Sequence, residues 1–278
     1  MLAEWIGRAR EVSDEITASA ARRLSAMLDR DPPPLAHGAI VPSHWLAVLF
    51  DDAQRQSRLG PDGHPAKGEF LPPVPLPRRM LAGRRIAYAA PLRIGESLTR
   101  RSEITAITPK EGRTGKLVFV TVRHTVTGLA GVVATEEQDI AYREAPTGAV
   151  KSEAPAPKQD AAWREAFTPD TVLLFRYSAL TFNGHRIHYD ADYARNVEGY
   201  PGLVVNGGLT TLMLLEAALR HAPGMTLSSA EIRTIRPLTC GRPAALAGAT
   251  PAGDGTQALW AEDDTGATAL RITARMTP

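Results

Sequence analysis

The sequence predicts an α+β fold made of two similar halves. Candidate helices precede candidate antiparallel strands in the first part of the chain, and the same order returns in the second part. A proline-rich stretch without apolar periodicity, residues 145–160, separates the two parts. The 278 residues are 44% hydrophobic, which is enough to build a sizeable core. These observations divide the chain into an N-terminal half (1–145), a linker (146–162) and a C-terminal half (163–278).

The N-terminal half is predicted to begin with two helices. Ser13 is the candidate N-cap of the first, because a serine hydroxyl accepts a hydrogen bond from a free N–H of the first turn. The run Pro32-Pro33-Pro34 ends that helix. Stretches rich in β-branched residues then predict strands. The predicted elements are helices over 16–28 and 43–50 and strands from residue 86 onward, including 117–126 and 132–142.

The proline-rich segment 70–79 has two interpretations. Its prolines suit an extended ligand for a partner domain, and they equally suit a rigid, ordered loop. We favour the ordered loop, because the segment lies inside a globular half.

The C-terminal half repeats the order of helices and strands. Asp190 is the candidate N-cap of a short helix, which Gly199 ends, and a longer apolar helix follows Gly207 and Gly208. The predicted elements are helices over 191–197 and 209–219 and strands over 231–235, 244–249, 257–262 and 267–276.

Composition excludes several classes of function. A net charge of +2 without a long basic block argues against a nucleic-acid partner. The single cysteine, Cys240, allows neither an internal disulfide nor a cysteine-based metal site, and we predict no metal. No apolar run approaches the ~20 residues that cross a bilayer, and the start lacks the order of a signal peptide. We therefore expect a cytoplasmic protein without a membrane association.

The most informative motif runs from Asn183 to His188. It places one amide and two imidazoles, His185 and His188, within six residues. Soon afterwards Gly207 and Gly208 begin the longer helix. Such a loop supplies a group that moves a proton, and the start of a helix supplies N–H groups that stabilise a developing oxyanion. The alternative is a structural hydrogen-bond network of partly buried polar side chains.

The C-terminal half resembles the MaoC-like, or R-specific hydratase type, hotdog domains. Their signature is Asp-x-Asn-Pro-x-His followed by a His-Gly at the central helix. His188 matches the signature histidine and Gly207 the glycine of the helix, whereas Asn183 stands at the aspartate and Asn206 at the second histidine. Asparagine cannot act as a base, so these departures alter the expected mechanism.

A narrower branch shares these departures. The chain looks like the mesaconyl-C4-CoA (3-methylfumaryl-CoA) hydratases, the itaconyl-CoA hydratases and the mitochondrial-type 3-hydroxyacyl thioester dehydratases. The match covers residues 175–190 and, in the N-terminal half, 62–65, 70–80 and 91–95. Because both halves match, the resemblance implies a double hotdog, in which two antiparallel sheets each wrap a central helix. The C-terminal half is expected to carry the catalytic motif, and the N-terminal half, which lacks the hydratase motif, is expected to bind the substrate and its CoA.

The resemblance implies reversible addition of water to the double bond of an acyl-CoA thioester. The expected acyl group is a short branched dicarboxylic one, mesaconyl or itaconyl, and the expected product is citramalyl-CoA. We expect His188 to be the acid/base group, Asn183 to orient the water, and the N–H groups of Gly207 and Gly208 to hold the thioester oxygen. No cofactor is expected, since CoA is part of the substrate.

Four further residues are candidates for substrate binding. His185 is expected either to take part in catalysis or to brace the loop. Arg186 is expected to pair with a substrate carboxylate or to lie solvated at the surface. Arg78 and Arg79 follow the proline-rich loop, and either is a candidate for a CoA phosphate or a carboxylate.

Three other functions stay open on the sequence. The chain can be a dehydratase of (R)-3-hydroxyacyl thioesters in fatty-acid metabolism, a thioesterase, or an acyl-CoA-binding protein without catalysis. The absence of a carboxylate at Asn183 counts against the thioesterase, and the presence of His188 and the glycines counts against the binding protein. Acyl group, stereochemistry and oligomeric state, with a homodimer among the possibilities, are not decided by the sequence.

Overall fold

The computed structural model describes residues 2–51, 53–112, 115–144 and 160–278. The predicted linker, 146–162, lies largely outside these residues. Ten strands form one antiparallel sheet, and two short strands, β2 (Ile40–Val41) and β4 (Leu92–Arg93), form a separate pair. The strands of the large sheet are β1 (Ala9–Asp14), β3 (Arg78–Tyr88), β5 (Leu98–Gly112), β6 (Gly115–Gly128), β7 (Gly131–Arg143), β8 (Trp163–Phe167), β9 (Thr226–Thr234), β10 (Ala244–Gly248), β11 (Thr256–Glu262) and β12 (Thr268–Thr277).

The large sheet joins the two halves edge to edge. Its order is β1-β5-β6-β7-β3-β9-β12-β11-β10-β8, so the five strands of each half meet at the β3–β9 pair, with four further strands on either side of it. That pair runs from Gly83 opposite Arg233 to Ala87 opposite Ser229. The α+β double hotdog is therefore confirmed, and the two sheets expected from the sequence are continuous. Backbone hydrogen bonds across β3–β9 leave no exposed sheet edge between the halves.

In the C-terminal half two helices begin close to the predicted positions, and a third, over Thr171–Leu180, was not predicted. The structure has α1 (Ala18–Met27), α2 (Thr171–Leu180), α3 (Ala191–Asn196) and α4 (Gly207–Arg220). Asp190 caps α3 as predicted, because its carboxylate accepts a hydrogen bond from the Tyr193 N–H at 3.0 Å. The helix α2 follows the same rule, with Asp170 accepting from the Leu173 N–H.

The predicted N-cap Ser13 is wrong. Ser13 lies in β1, where it pairs with Thr99 of β5, and α1 begins only at Ala18. Thr17 is the N-cap, since its hydroxyl accepts from the Ala20 N–H at 3.0 Å. The second predicted helix is a 3₁₀ helix over Ser43–Val48.

The helix α4 lies at the centre of the main core. Nine of its 14 residues are buried, and it contacts β9, β10, β11 and β12. The same core includes Leu24 of α1 and Leu98 of β5, so one apolar cluster spans both halves. A helix buried on nearly all sides needs a mostly apolar sequence, which residues 209–219 provide with three buried polar exceptions, Thr210, Thr211 and Glu216.

A buried carboxylate ties the N-terminal half to α4. Glu216 accepts hydrogen bonds from His44 Nε2 and Trp45 Nε1, each at 2.7 Å, and from the Arg30 guanidinium at 2.8 Å. Burial raises the pKa of Glu216, but the hydrogen bonds and charges of its partners, His44 first, outweigh burial and lower the pKa to about 2. The carboxylate is thus ionised and fully partnered, as a buried charge requires.

The proline-rich segment is an ordered loop, as expected. Val74 and Leu76 are buried against Val120, Val122 and Tyr142 of the N-terminal sheet. The loop leads directly into β3, which begins at Arg78. None of the helices that the structure describes is both long and apolar enough to cross a membrane.

Candidate active site

His188 lies at the end of a loop that connects α2 and α3. A short 3₁₀ helix, Arg186–His188, turns the chain so that the imidazole points inward, and the residue is 8% exposed. The Nδ1 atom lies 2.7 Å from the carbonyl oxygen of Val204, three residues before α4. A carbonyl oxygen only accepts, so Nδ1 carries the hydrogen and Nε2 keeps a free lone pair in the neutral ring.

Burial makes His188 a neutral imidazole at physiological pH. Removal from solvent lowers its pKa to about 4, against the opposing effect of the hydrogen bond to Val204. The ring therefore combines a fixed tautomer with an unprotonated Nε2 atom, which is the form in which an imidazole can accept a proton.

A second histidine of the site comes from the N-terminal half. In the loop 59–65, the Asp62 carboxylate lies 3.1 Å from His64 Nδ1 and accepts from the His64 backbone N–H at 3.0 Å. Burial raises the pKa of Asp62, but these hydrogen bonds outweigh it and hold the pKa below its usual range. Asp62 is thus an ionised carboxylate that fixes the orientation of the His64 ring.

His185 lies between the two histidines. Its ring centroid is 3.9 Å from that of His64 and 5.3 Å from that of His188, the latter in an edge-to-face contact. Burial, together with the neighbouring histidines, lowers the pKa of His185 to about 3. Three imidazoles from two halves of the chain therefore form one contiguous group.

Backbone contacts hold the two loops together. The Arg186 N–H donates to the Asp62 carbonyl at 2.9 Å. A Cβ atom on Gly63 would lie 1.9 Å from the carbonyl oxygen of Gly184, so only glycine allows this approach. Asn183 stabilises the same loop, since its side-chain oxygen accepts from the His185 N–H at 2.9 Å.

The N-terminus of α4 lies next to this group through Val204. Its first N–H groups, those of Gly207 and Gly208, have no partner within the helix and point along the positive end of the helix dipole. A Cβ on Gly208 would lie 2.2 Å from the Tyr177 hydroxyl, so a side chain is excluded there. Burial raises the pKa of Tyr177 to about 12, and its hydroxyl therefore stays protonated.

Asn206 precedes these glycines and is 3% exposed. Neither its side-chain oxygen nor its nitrogen has a hydrogen-bond partner among the described residues, and it does not cap α4. An unpaired buried amide costs ~1–3 kcal/mol. Such a cost is typical of a residue whose partner is a ligand.

The predicted arginines fall into two groups. Two of them already have partners. Arg186 forms an ion pair with Asp190 at 2.7 Å. Arg78 donates a hydrogen bond to the backbone carbonyl of Glu198 at 2.9 Å and also pairs with the Glu198 carboxylate. Arg79 has no ion pair with a carboxylate among the described residues, and its charge acts on His185 and Lys67. Arg79 is therefore the predicted arginine that is available to an anionic group at the histidines.

Asp62, His64 and His185 are also a candidate set of metal ligands. One ligand atom from each lies within 4.8 Å of the others. Two positive charges lie near this group. Arg79 interacts electrostatically with His185, and Lys67 interacts electrostatically with Asp62 and with Arg79. Two neighbouring cations disfavour a divalent ion at this place.

A separate small cavity of about 30 Å³ lies between β3 and α4, and none of the three histidines lines it. Its lining combines apolar side chains with several polar ones, among them the buried pair of Arg84 and Glu136. Burial raises the pKa of Glu136, but Arg84 outweighs it and lowers the pKa to about 2. The charges of this cavity neutralise each other, and we assign it no chemistry.

The sequence predicted His188, His185 and Asn183 as site residues. It did not predict a role for His64, Asp62 or Asn206, which the structure places in or next to the same group. The signal for the first two is the motif at 62–65, an acid followed by glycine and histidine. Nothing local shows that this motif meets residue 185, more than a hundred positions away. For Asn206 the signal is a polar residue directly before a glycine pair and an apolar helix.

Comparison with known proteins places this geometry in a family. Residues 43–240 match the model of hydroxyacyl-thioester dehydratase type 2. The mesaconyl-C4-CoA hydratase of Chloroflexus aurantiacus is 44% identical over 279 residues, which cover 98% of this chain and 96% of that protein.

Solved structures agree on the fold. A structure described as a MaoC-like dehydratase aligns with a TM-score of 0.74 at 15% identity, over 99% of each chain. A Mycobacterium tuberculosis protein with a double hotdog fold aligns with a TM-score of 0.62 at 15% identity, over 98% of this chain and 96% of that one. The chain thus belongs to the hydroxyacyl-thioester dehydratase type 2 family of hotdog proteins, and it is a hydro-lyase.

Proposed function

We propose that the chain hydrates a short branched dicarboxylic enoyl-CoA, with mesaconyl-C4-CoA as the preferred substrate and citramalyl-CoA as the product. The observation that carries the proposal is His188, a buried neutral imidazole with a fixed tautomer, next to the N-terminus of α4. The near full-length likeness to a mesaconyl-C4-CoA hydratase supports the choice of acyl group.

In the proposed mechanism, the thioester oxygen binds at the N–H groups of Gly207 and Gly208. Negative charge develops on this oxygen when water attacks the β-carbon, and the free N–H groups and the helix dipole stabilise it. The His188 Nε2 atom accepts the proton of the attacking water. Loss of one oxyanion donor typically costs ~3 kcal/mol of transition-state stabilisation.

The two asparagines have different proposed roles. Asn183 uses its side-chain oxygen within the loop, so its amide N–H₂ group is what remains to orient the water. Asn206 is fully buried beside the helix start, and we propose that its unpaired amide binds the thioester or the water. A bound substrate would then satisfy the amide that the free protein leaves without a partner.

Arg79 is the proposed site for the free carboxylate of the substrate. An arginine without a carboxylate partner pairs strongly with such a group. Lys67 adds positive charge, although its ammonium group already donates to the Leu76 carbonyl at 2.6 Å. Arg78 and Arg186, whose guanidinium groups are engaged, then serve to position the loops, and His185 separates the two other imidazoles.

Steady-state kinetics on mesaconyl-C4-CoA, itaconyl-CoA and crotonyl-CoA test this function. We expect the highest kcat/KM for mesaconyl-C4-CoA, and we expect Arg79→Gln to raise the Michaelis constant for the dicarboxylic thioesters at least tenfold while it leaves crotonyl-CoA unchanged. Arg85→Gln, on the same strand but exposed and paired with Asp139, is the matched control. Preference of the wild type for crotonyl-CoA would instead indicate the fatty-acid dehydratase.

The remaining expectations stay predictions. The proposed chemistry uses acid–base groups of the chain and no cofactor. A cytoplasmic location and a homodimer belong to the same proposal. Binding of CoA thioesters without turnover of any of them would support the non-catalytic alternative.

A further inference from the structure

Hydration of a double bond requires two proton transfers, and His188 accounts for one. Water must lose a proton when it adds to the β-carbon, and the α-carbon must gain one. A single imidazole can perform both steps only if it carries the same proton from one place to the other. The group formed by His64, His185 and His188 offers a second candidate.

His64 has the geometry of a proton-transfer group. The Asp62 carboxylate, 3.1 Å from Nδ1, accepts the hydrogen of that atom, which leaves Nε2 as the atom that exchanges protons. The side chain of His64 is 31% exposed, so a proton can return from solvent after each turnover. A carboxylate behind an imidazole fixes the tautomer and stabilises the imidazolium.

The position of His64 places it in the same site as His188. Its ring contacts that of His185, which in turn contacts that of His188. The backbone pair of Arg186 with Asp62 and the close approach of Gly63 to Gly184 fix the two loops against each other.

We propose that His64, oriented by Asp62, is the second proton-transfer group of the site and delivers the proton to the α-carbon. This inference rests on the proposed function. It assigns a catalytic residue to the N-terminal half, which the sequence had led us to regard as lacking the hydratase motif.

The proposed step balances without a further reactant. The π bond breaks, a C–O bond forms at the β-carbon and a C–H bond forms at the α-carbon. The proton of water ends on His188 Nε2, and the proton on His64 Nε2 ends on the α-carbon. Solvent restores both imidazoles, and nothing is oxidised or reduced.

The surroundings of the two imidazoles favour these opposite roles. Burial keeps His188 neutral. His64 faces the ionised Asp62 from its own loop and the neutral His185 from the C-terminal loop. Lys67 interacts electrostatically with Asp62 and Arg79 with His185, and Asp62 is the charged group in direct contact with His64.

Steady-state kinetics of the His64→Gln variant test the inference. The substrate is whichever enoyl-CoA of the three-thioester panel the wild type hydrates. A group that transfers a proton in the chemical step contributes to kcat rather than to substrate binding. His64→Gln should therefore lower kcat at least ~100-fold and leave the Michaelis constant unchanged.

Two further variants separate catalysis from folding. Asp62→Asn should lower kcat with the melting temperature retained, because the His64 ring loses the carboxylate that orients it. His221→Gln is the matched control, since His221 stacks on Trp163 and pairs with Glu165 in another part of the molecule. A merely structural His64 would instead lower the melting temperature of His64→Gln and raise its Michaelis constant.

The outcomes distinguish this inference from the proposed function. An active wild type whose His64→Gln variant retains more than a tenth of the activity, or loses activity through the Michaelis constant alone, overturns the inference alone. His188 would then perform both steps. A wild type that hydrates none of the three thioesters overturns the proposed function and this inference with it.

Discussion

The loop that carries His188 and the loop that carries His64 present the same side chain in different surroundings. His188 is almost fully buried and donates from Nδ1 to a backbone carbonyl, whereas His64 is one third exposed and donates from Nδ1 to a carboxylate. A carbonyl fixes the tautomer without adding charge, and a carboxylate fixes it and stabilises the protonated ring. The hydrogen-bond partner and the burial of an imidazole, more than its residue type, therefore decide whether it suits the role of base or of acid.

The two loops also differ in how the fold supports them. The His188 loop lies between two helices of the C-terminal half and reaches the start of α4 through Val204. The His64 loop is closed by its own hydrogen bond, from the Gly60 N–H to the His64 carbonyl at 2.7 Å. The joined sheet brings the two together, so the site belongs to neither half alone.

The largest effect is expected from a substitution that forces the His64 loop and the His188 loop apart. In Gly63→Ala the new methyl group meets the backbone of Gly184, which cannot move aside as a flexible side chain can. The residue also has φ +86°, a conformation that alanine adopts only with strain. We expect kcat/KM to fall about 100-fold, the loss typical of a catalytic group displaced by about 1 Å, with a lower melting temperature.

Gly38→Ala is the control for strain. Gly38 has φ +80° but nothing within 4 Å of the added methyl group. It should share the loss of stability and keep the activity. Equal activity losses in the two variants would mean that the contact between the loops does not matter.

Asn206 lies at the start of α4, next to the His188 loop, and its removal should affect activity rather than stability. Asn206→Leu replaces an unpaired buried amide with an apolar group of similar size, which removes a cost of ~1–3 kcal/mol. We expect an unchanged or higher melting temperature together with at least a tenfold lower kcat, measured by thermal denaturation and the hydration assay. Full activity, or a melting temperature lowered by several degrees, would show that Asn206 serves the fold.

The sequence predicted the elements whose signals are local. The capping of α3 by Asp190 and the start of α4 at Gly207 depend on neighbours within a few residues, and both are found. The strand β1 was missed, because its pairing with β5 joins residues 86 positions apart and Ser13 there has the appearance of a helix cap. Long-range pairing overrides a local propensity of this size.

The site was predicted in part for the same reason. His188 and His185 lie in one short motif, and the resemblance to a family marked them. The contact of His64 with His185 spans 121 positions and exists only because the halves share one sheet. The engagement of Arg186 by Asp190 and of Arg78 by Glu198 likewise becomes visible only in three dimensions.

The most direct test of the central claim is the hydration of mesaconyl-C4-CoA by the purified wild type and by His188→Ala. The account predicts turnover by the wild type and a loss of ~10²–10⁴ in kcat in the variant, with the melting temperature retained. A folded His188→Ala protein that keeps more than a tenth of the wild-type turnover would contradict it.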